Sequence, residues 1–396
     1  MRCLERKYIY EINFVRAIAC LLVVMVHVSA RFYYAYDGNH TVLTNYLNQI
    51  ARVGTPLFAV MSGFLLYNQA LNRKFNTVIF LKSRLTKIVI PFIFWSIFYL
   101  VYKSMYGSYT FPDFTSSEEV KNFLTMFLLG KSHYHLYFIV LVIQFYILFL
   151  FIRKALNLKT IILFTIISSY LNYTFITNKF LFSNVYIEQF VNSRAFLFEW
   201  IYYFMLGILL VELWPLIYKY LLEKKNSSYV LLIGAVIMLL TIFDYYSHEK
   251  IINSNQNFIN MLTVPIVFIV LVSLYNKIIM INDKIMKVFI KIGNMSMGIF
   301  LIHPFVIYLY RDIAPYDVTA HPLLIFPYFI AVIGISIVLL KILSLMPYSQ
   351  YIITLVETDD DNVNYNIGKT KKKIKKKNQK DYISNEEKEG EDGVKA

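Results

Sequence analysis

Long runs of apolar residues, separated by short polar connections, set the pattern of this chain from its first dozen residues to about position 345. Ten runs stand out, at 11–31, 44–68, 88–106, 136–153, 158–176, 195–218, 229–247, 257–275, 294–313 and 322–345. A helix needs about 20 residues to cross ~30 Å of hydrocarbon, and each run comes close to that length or exceeds it. The expected fold class is therefore all-α: a polytopic membrane protein with about ten transmembrane helices. A shorter apolar stretch, Val120–Gly130, precedes the fourth run and reads as an interfacial or re-entrant piece.

The polar connections carry the orientation. Basic residues gather after the second, fourth, sixth and eighth runs: Arg73, Lys74, Lys82, Arg84 and Lys87; Arg153, Lys154 and Lys159; Lys219, Lys224 and Lys225; Lys277, Lys284, Lys287 and Lys291. The intervening connections are near neutral or acidic, with Asp113, Glu118 and Glu119 in one and Asp312 and Asp317 in another. Because basic loops stay on the cytoplasmic side, both termini are expected there. The domain organisation that follows is a cytoplasmic N-terminus over 1–10, a transmembrane domain over 11–345 and a cytoplasmic charged tail over 346–396.

Composition changes the picture in two places. The net charge of +14 resembles that of a nucleic-acid binder, yet residues 357–396 hold ten basic and ten acidic side chains and contribute nothing to it. The excess lies in the loops, where topology is encoded, so no nucleic-acid partner is expected. The tail, acidic then lysine-rich over Lys369–Lys380 then acidic again, has few apolar residues and is expected to be disordered. Its lysines suit anionic lipid headgroups, a cytoplasmic partner, or plain solvation that reinforces the orientation. Two cysteines, Cys3 and Cys20, are not placed to form an extracytoplasmic disulfide. The first run contains Arg16 and lacks a small-residue cleavage site, so it reads as an uncleaved helix and not a signal peptide.

Candidate chemistry begins with polar residues inside apolar runs, which are costly in lipid and mark function by default. Arg16 and His27 lie eleven residues apart on the first run. On a helix they project within ~20° of each other, separated by ~16 Å along the axis. Arg52 enters the second run from the same end as His27, so the two share a depth. The second run also holds Gly54, Pro56, Ser62 and Gly63. The glycines suit close helix contact, whereas Pro56 frees backbone carbonyls of the kind that line cavities. His133 and His135 open the fourth run, and at i and i+2 on a helix they do not share a face, so no metal pair is expected. Asp244 and His248 have a spacing that could ligate a metal, but no metal is expected there either. His303 lies mid-run before Pro304; His40 and His321 read as loop residues.

These residues also resemble a family. Asn13-Phe14-Val15-Arg16-Ala17 with His27 is similar to the first-helix signature of the acyltransferase-3 family of bacterial membrane O-acyltransferases. Arg52-Val53-Gly54-Thr55-Pro56-Leu57-Phe58 followed by Ser62-Gly63-Phe64-Leu65 resembles its second-helix motif and is the most specific match. Lys82-Ser83-Arg84-Leu85 leading to Ile90-Pro91-Phe92, His135-Leu136-Tyr137-Phe138, Phe204-Met205-Leu206-Gly207 and Ser296–Pro304 resemble further motifs in the family's order. Tyr137 stands where tryptophan is common.

The resemblance implies transfer of an acetyl or succinyl group from cytoplasmic acyl-CoA to a hydroxyl of an envelope polysaccharide or glycolipid. It implies a multi-pass protein of the bacterial cytoplasmic membrane, in contact with membrane lipids and possible polysaccharide synthesis machinery. His27 is then the general base and Arg52 the stabiliser of charge developing on the thioester carbonyl. Arg16, Arg84 and Lys87 face the phosphates of CoA. Ser62, His135 and His303 are candidates for acyl or substrate contact, with an acyl-serine intermediate left open. The alternative is a non-enzymatic exporter or flippase of a surface polysaccharide, in which the same polar residues line a glycan path.

Overall fold

A computed structural model describes residues 10–35, 41–72, 75–220, 228–237, 259–314 and 316–354. The described residues form helices: α1 (Tyr10–Ala35), α2 (Val42–Ala51), α3 (Gly54–Asn72), α4 (Thr77–Arg84), α5 (Ile90–Met105), α6 (Ser117–Leu128), α7 (Tyr137–Ile152), α8 (Leu158–Thr177), α9 (Val185–Val191) and α10 (Ile201–Tyr220). A short apolar helix α11 (Ser228–Ile237) follows, then α12 (Ile259–Ile281), α13 (Asp283–Ile313) and α14 (Ile325–Ser344). Eight helical paths among these residues are long and apolar enough to cross a membrane, and α7 and α11 are shorter apolar helices. The chain is an all-α polytopic membrane protein. His40, Asp244, His248, the tail beyond Thr354 and part of the seventh expected span lie outside the described residues.

α1 is the hub. Phe14, Val15, Ala17, Ala19, Cys20, Val24, Val28 and Phe32 are all buried, on more than one of its faces. Lipid tails are as apolar as leucine, so helices associate in a membrane by close packing and polar contacts rather than by escaping water. Small residues mark each close approach. A Cβ on Gly293 of α13 would stand 2.2 Å from the Asn13 carbonyl oxygen of α1. The α3–α10 contact is reciprocal: a Cβ on Gly63 would lie 2.0 Å from the Phe204 carbonyl oxygen, and one on Gly207 would lie 1.9 Å from that of Val60. Gly54 meets Ala19 of α1 in the same way, at 2.9 Å.

Helical geometry changes near a proline within one expected span and at the start of another. The second divides at Arg52-Val53 into α2 and α3. Pro56 is thus the third residue of α3, where a missing N–H costs little, and it does not kink a helix in mid-span. The third, expected over 88–106, is α5, and a π-helical turn, Leu85–Val89, joins it to α4 just ahead of Pro91. Pro91 cannot donate to the carbonyl of Lys87, and the Thr354 hydroxyl takes that carbonyl at 2.6 Å. Trp95 Nε1 donates to the Ile352 carbonyl at 2.9 Å, so the segment after α14 lies along the start of α5. α6 spans the stretch expected to be interfacial; none of its residues is buried, and its N-terminus is capped by Ser116.

Candidate active site

The end of α1 that carries His27 meets a turn rather than a helix. Residues 131–136 lie between α6 and α7 without regular helical structure. Gly130 starts this turn with φ +66°, and a Cβ there would collide with the Tyr137 amide nitrogen at 2.7 Å. Both the positive φ and the close approach require glycine. Lys103 of α5 closes the turn from the other side, its Nζ donating to the Ser132 carbonyl at 2.8 Å. The expectation that His133 and His135 stand on different faces of a helix fails here, because neither residue is on one. Their Nδ1 atoms lie 3.1 Å apart, within hydrogen-bonding distance.

Four histidines and two tyrosines converge at this turn. The His27 ring lies 4.4 Å from that of Tyr134 and stacks on His303 at 5.3 Å. His135 approaches His303 at 5.5 Å, and Tyr99 stacks on His133 at 4.1 Å. His303 Nδ1 lies 3.0 Å from the Ile299 carbonyl oxygen. A carbonyl only accepts, so Nδ1 carries the proton and Nε2 presents its lone pair. The Nε2 atoms of His303 and His133 are buried with no hydrogen-bond partner. Burial above all, then the neighbouring Lys103 ammonium, holds the His133 pKa well below the ordinary histidine range. In the His133–His135 contact one ring donates and the other accepts, so one Nε2 carries hydrogen and the other a lone pair. Unpaired buried nitrogens of this kind call for an explanation, and a polar ligand or a proton in transit supplies one.

Tyr99 explains how the helix accommodates Pro304. The Tyr99 hydroxyl donates to the Leu301 carbonyl at 2.7 Å and accepts from the Phe305 N–H at 3.3 Å. Those two backbone groups are an i, i+4 pair of α13, so the hydroxyl sits inside a helical rung beside the proline. A side chain inserted into the ladder is one of the few ways to hold such a distortion.

Arg52 reaches this end of the bundle through α2. Its Nε donates to Asn48 Oδ1 at 3.0 Å, while Asn48 Nδ2 donates to Ser29 Oγ at 2.9 Å and the Val26 carbonyl at 3.1 Å. Arg52 is thereby tied, through Asn48, to Val26 and Ser29, which flank His27 along α1. The immediate ring neighbours of His27 are Tyr134 and His303.

Toward the other end of the bundle, Arg16, Arg84, Lys87 and Ser62 line one cavity of about 550 Å³ with Ser296, Phe300 and Thr354. Arg16 donates to Ser296 Oγ at 3.1 Å and lies 3.5 Å from Asn13 Oδ1; Asn13 in turn bonds to Asn294 across the α1–α13 contact. Arg84 packs over the rings of Tyr146 and Phe80 at 4.8 and 5.0 Å. The Ser62 hydroxyl donates to the Phe58 carbonyl at 2.9 Å, the ordinary back-bond of a helical serine. Phe300 forms part of the cavity wall and also touches His135 at 5.1 Å and His303 at 6.2 Å. The cavity therefore ends against the histidine cluster. Beyond it a second cavity of about 800 Å³ opens, lined by His133, Tyr134, Tyr137 and Tyr308 among others.

Comparison with known proteins places the chain in a family. The acyltransferase domain family model covers residues 9–341. The chain belongs to the acyltransferase-3 family. Similar curated proteins include the "Probable poly-beta-1,6-N-acetyl-D-glucosamine export protein" of Staphylococcus aureus strain MSSA476, 30% identical over 210 residues that span 51% of this chain and 56% of the relative. The protein of the same name from strain MRSA252 is 29% identical over 210 residues, again 51% of this chain and 56% of the relative. The similarity thus spans about half the length of each. No solved structure matches.

Several partners in this site are not legible from spacing. Tyr99 and Asn48 look like any other helical polar residue, and Tyr134 reads as one more aromatic in an aromatic-rich chain. Asn294 and Ser296 sit beside a motif yet carry no sign that Arg16 is their partner. Gly130 ahead of Lys131-Ser132-His133-Tyr134-His135 is a turn signal that places the histidines off the helix.

Proposed function

We propose that the protein is a membrane O-acyltransferase of the bacterial cytoplasmic membrane that moves an acetyl or succinyl group from acyl-CoA to a hydroxyl of an envelope polysaccharide or glycolipid. The observation that carries this reading is the pair of cavities on either side of the histidine cluster. The Arg16–Arg84–Lys87 cavity offers three cations to the phosphates of CoA, with Phe300 and Ser62 along the way to the histidines. By the positive-inside pattern this cavity faces the cytoplasm, where acyl-CoA is made, and both termini lie on that side.

In the proposed step His27 removes the proton of the acceptor hydroxyl as its oxygen attacks the thioester carbonyl. The stacked His303 and the His133–His135 pair provide neighbouring sites for that proton. The tetrahedral oxyanion is stabilised by Arg52, and collapse expels the CoA thiolate, which takes up a proton. Ser62 orients the acyl chain.

The second reading, export of a surface polysaccharide without acyl transfer, is favoured by the printed names of the relatives. One assay separates the two. Purified protein is given acetyl-CoA or succinyl-CoA with an acceptor glycan, and free CoA is measured with a thiol reagent. Acceptor-dependent CoA release that falls about 10²–10⁴-fold in His27→Ala, with normal protein yield, supports the transferase. No release from the unaltered protein, together with loss of surface polymer on gene deletion, supports export.

A further inference from the structure

The cavity on the far side of the histidines has a charge that the linear sequence conceals. The connections that build it are near neutral when read along the chain. In space, Lys103, Lys131, Lys179 and Arg194 line one cleft, against the single carboxylate of Glu188. None of the four cations is ion-paired among the described residues. Arg311, over the Tyr308 ring, is paired with Asp312. Lys131, Lys179 and Arg194 are exposed, whereas Lys103 is half-buried with its Nζ on the Ser132 carbonyl, beside His133. Glu188 is already committed, its Oε2 accepting the Phe182 N–H at 3.1 Å. The cleft therefore carries uncompensated positive charge beside three tyrosine faces, Tyr134, Tyr137 and Tyr308.

We infer that the acceptor is a saccharide bearing phosphate close to the hydroxyl that is acylated, bound with its sugar against the tyrosines and its phosphate against Lys131, Lys179 and Arg194. This deepens the transferase reading above and rests on it. Tyrosine rings offer apolar faces with polar tips, which suits a sugar. Lysine and arginine together suit phosphate, arginine through two parallel N–H···O contacts. A neutral polymer gains nothing from three exposed cations, and a glucosamine polymer with free amines is repelled by them.

The test uses purified full-length protein and three defined probes: a polyprenyl-diphosphate-linked N-acetylglucosamine, a glycerol-phosphate oligomer glycosylated with N-acetylglucosamine, and a neutral β-1,6-linked N-acetylglucosamine oligomer. Binding is measured at low and high salt, with CoA release in parallel. At least one phosphate-bearing probe is expected to bind about tenfold or more tighter than the neutral oligomer, with a preference that shrinks in high salt. The relative affinity of the first two probes distinguishes a lipid-linked from a polymeric source. The triple variant Lys131→Ala, Lys179→Ala, Arg194→Ala is expected to lose that preference. Glu188→Gln keeps an acceptor for the Phe182 N–H and is expected to tighten binding. Equal affinity for all three probes, or an unchanged preference in the triple variant, overturns the inference. Turnover with the neutral oligomer that ignores the triple variant leaves the transferase reading standing without this one. Selective phosphate-probe binding with no CoA release from any acceptor keeps the phosphate-saccharide cleft as a binding site but removes the transferase reading and, with it, the acceptor role.

Discussion

The Tyr99 hydroxyl shows what one side-chain atom can decide in a membrane helix. Pro304 removes one N–H from α13, and Tyr99 occupies the adjacent rung between Leu301 and Phe305. In hydrocarbon no water is available to replace it, so the two backbone groups depend on this hydroxyl or on each other. Tyr99→Phe is expected to cost about 1–3 kcal/mol, the range for buried polar groups left unmatched. Pro304→Ala lets the helix close its own rung, so Tyr99→Phe is expected to cost much less in that background. Thermal unfolding in detergent of the two single variants and the double variant reads the coupling. Additive effects would mean that the hydroxyl does not serve the proline break. His303, one residue before the proline, is held by the bond of its Nδ1 to the Ile299 carbonyl.

Helix contacts made through glycine are where the elements are most exposed to single changes. Gly63 and Gly207 face each other's backbone across α3 and α10, so an added methyl has only a carbonyl to push against. Gly63→Ala is expected to destabilise by about 1–3 kcal/mol, as overpacking does, and to lower the yield of monodisperse protein. Gly334 of α14 is the control, since a Cβ there meets nothing within 4 Å. Gly334→Ala is expected to be neutral or to stabilise by up to about 1 kcal/mol through helix propensity. Equal unfolding temperatures for the two variants would contradict the packing account.

Across the whole molecule, the placement of charges predicts which end faces which compartment. Asp113 precedes α6 and Lys159 opens α8, both exposed and on connections of opposite expected side. With Cys3 and Cys20 replaced by Ala, Asp113→Cys is expected to react with a membrane-impermeant maleimide in intact cells. Lys159→Cys is expected to react only after permeabilisation. The reverse pattern would put the Arg16 cavity outside and remove the cytoplasmic donor from the mechanism. Ten runs were expected from apolar length, and among the described residues eight helical paths reach spanning length. The difference arises at α7, which begins only after the histidine turn, and at the seventh expected span, part of which lies outside the described residues.

Apolar run length and the alternation of basic loops determined by themselves that the chain is an all-α membrane protein, because lipid leaves a backbone few ways to satisfy its hydrogen bonds. Local sequence also picked out Arg16, His27 and Arg52, because charged and titratable groups in lipid are too costly to be incidental. What lay beyond it was partnership. Arg16, Arg84 and Lys87 come from three separate helical segments and share a cavity only in the folded chain. His27 was expected beside Arg52, and the fold adds His303, on which its ring stacks, and Tyr134 as neighbours. His133 and His135 were kept apart by helical spacing and are joined by a turn that Gly130 permits and Lys103 closes. Spacing along one helix predicts neighbours on that helix alone. Contacts between residues far apart in sequence depend on which helices approach closely, and here that choice rests with a few glycines and one proline.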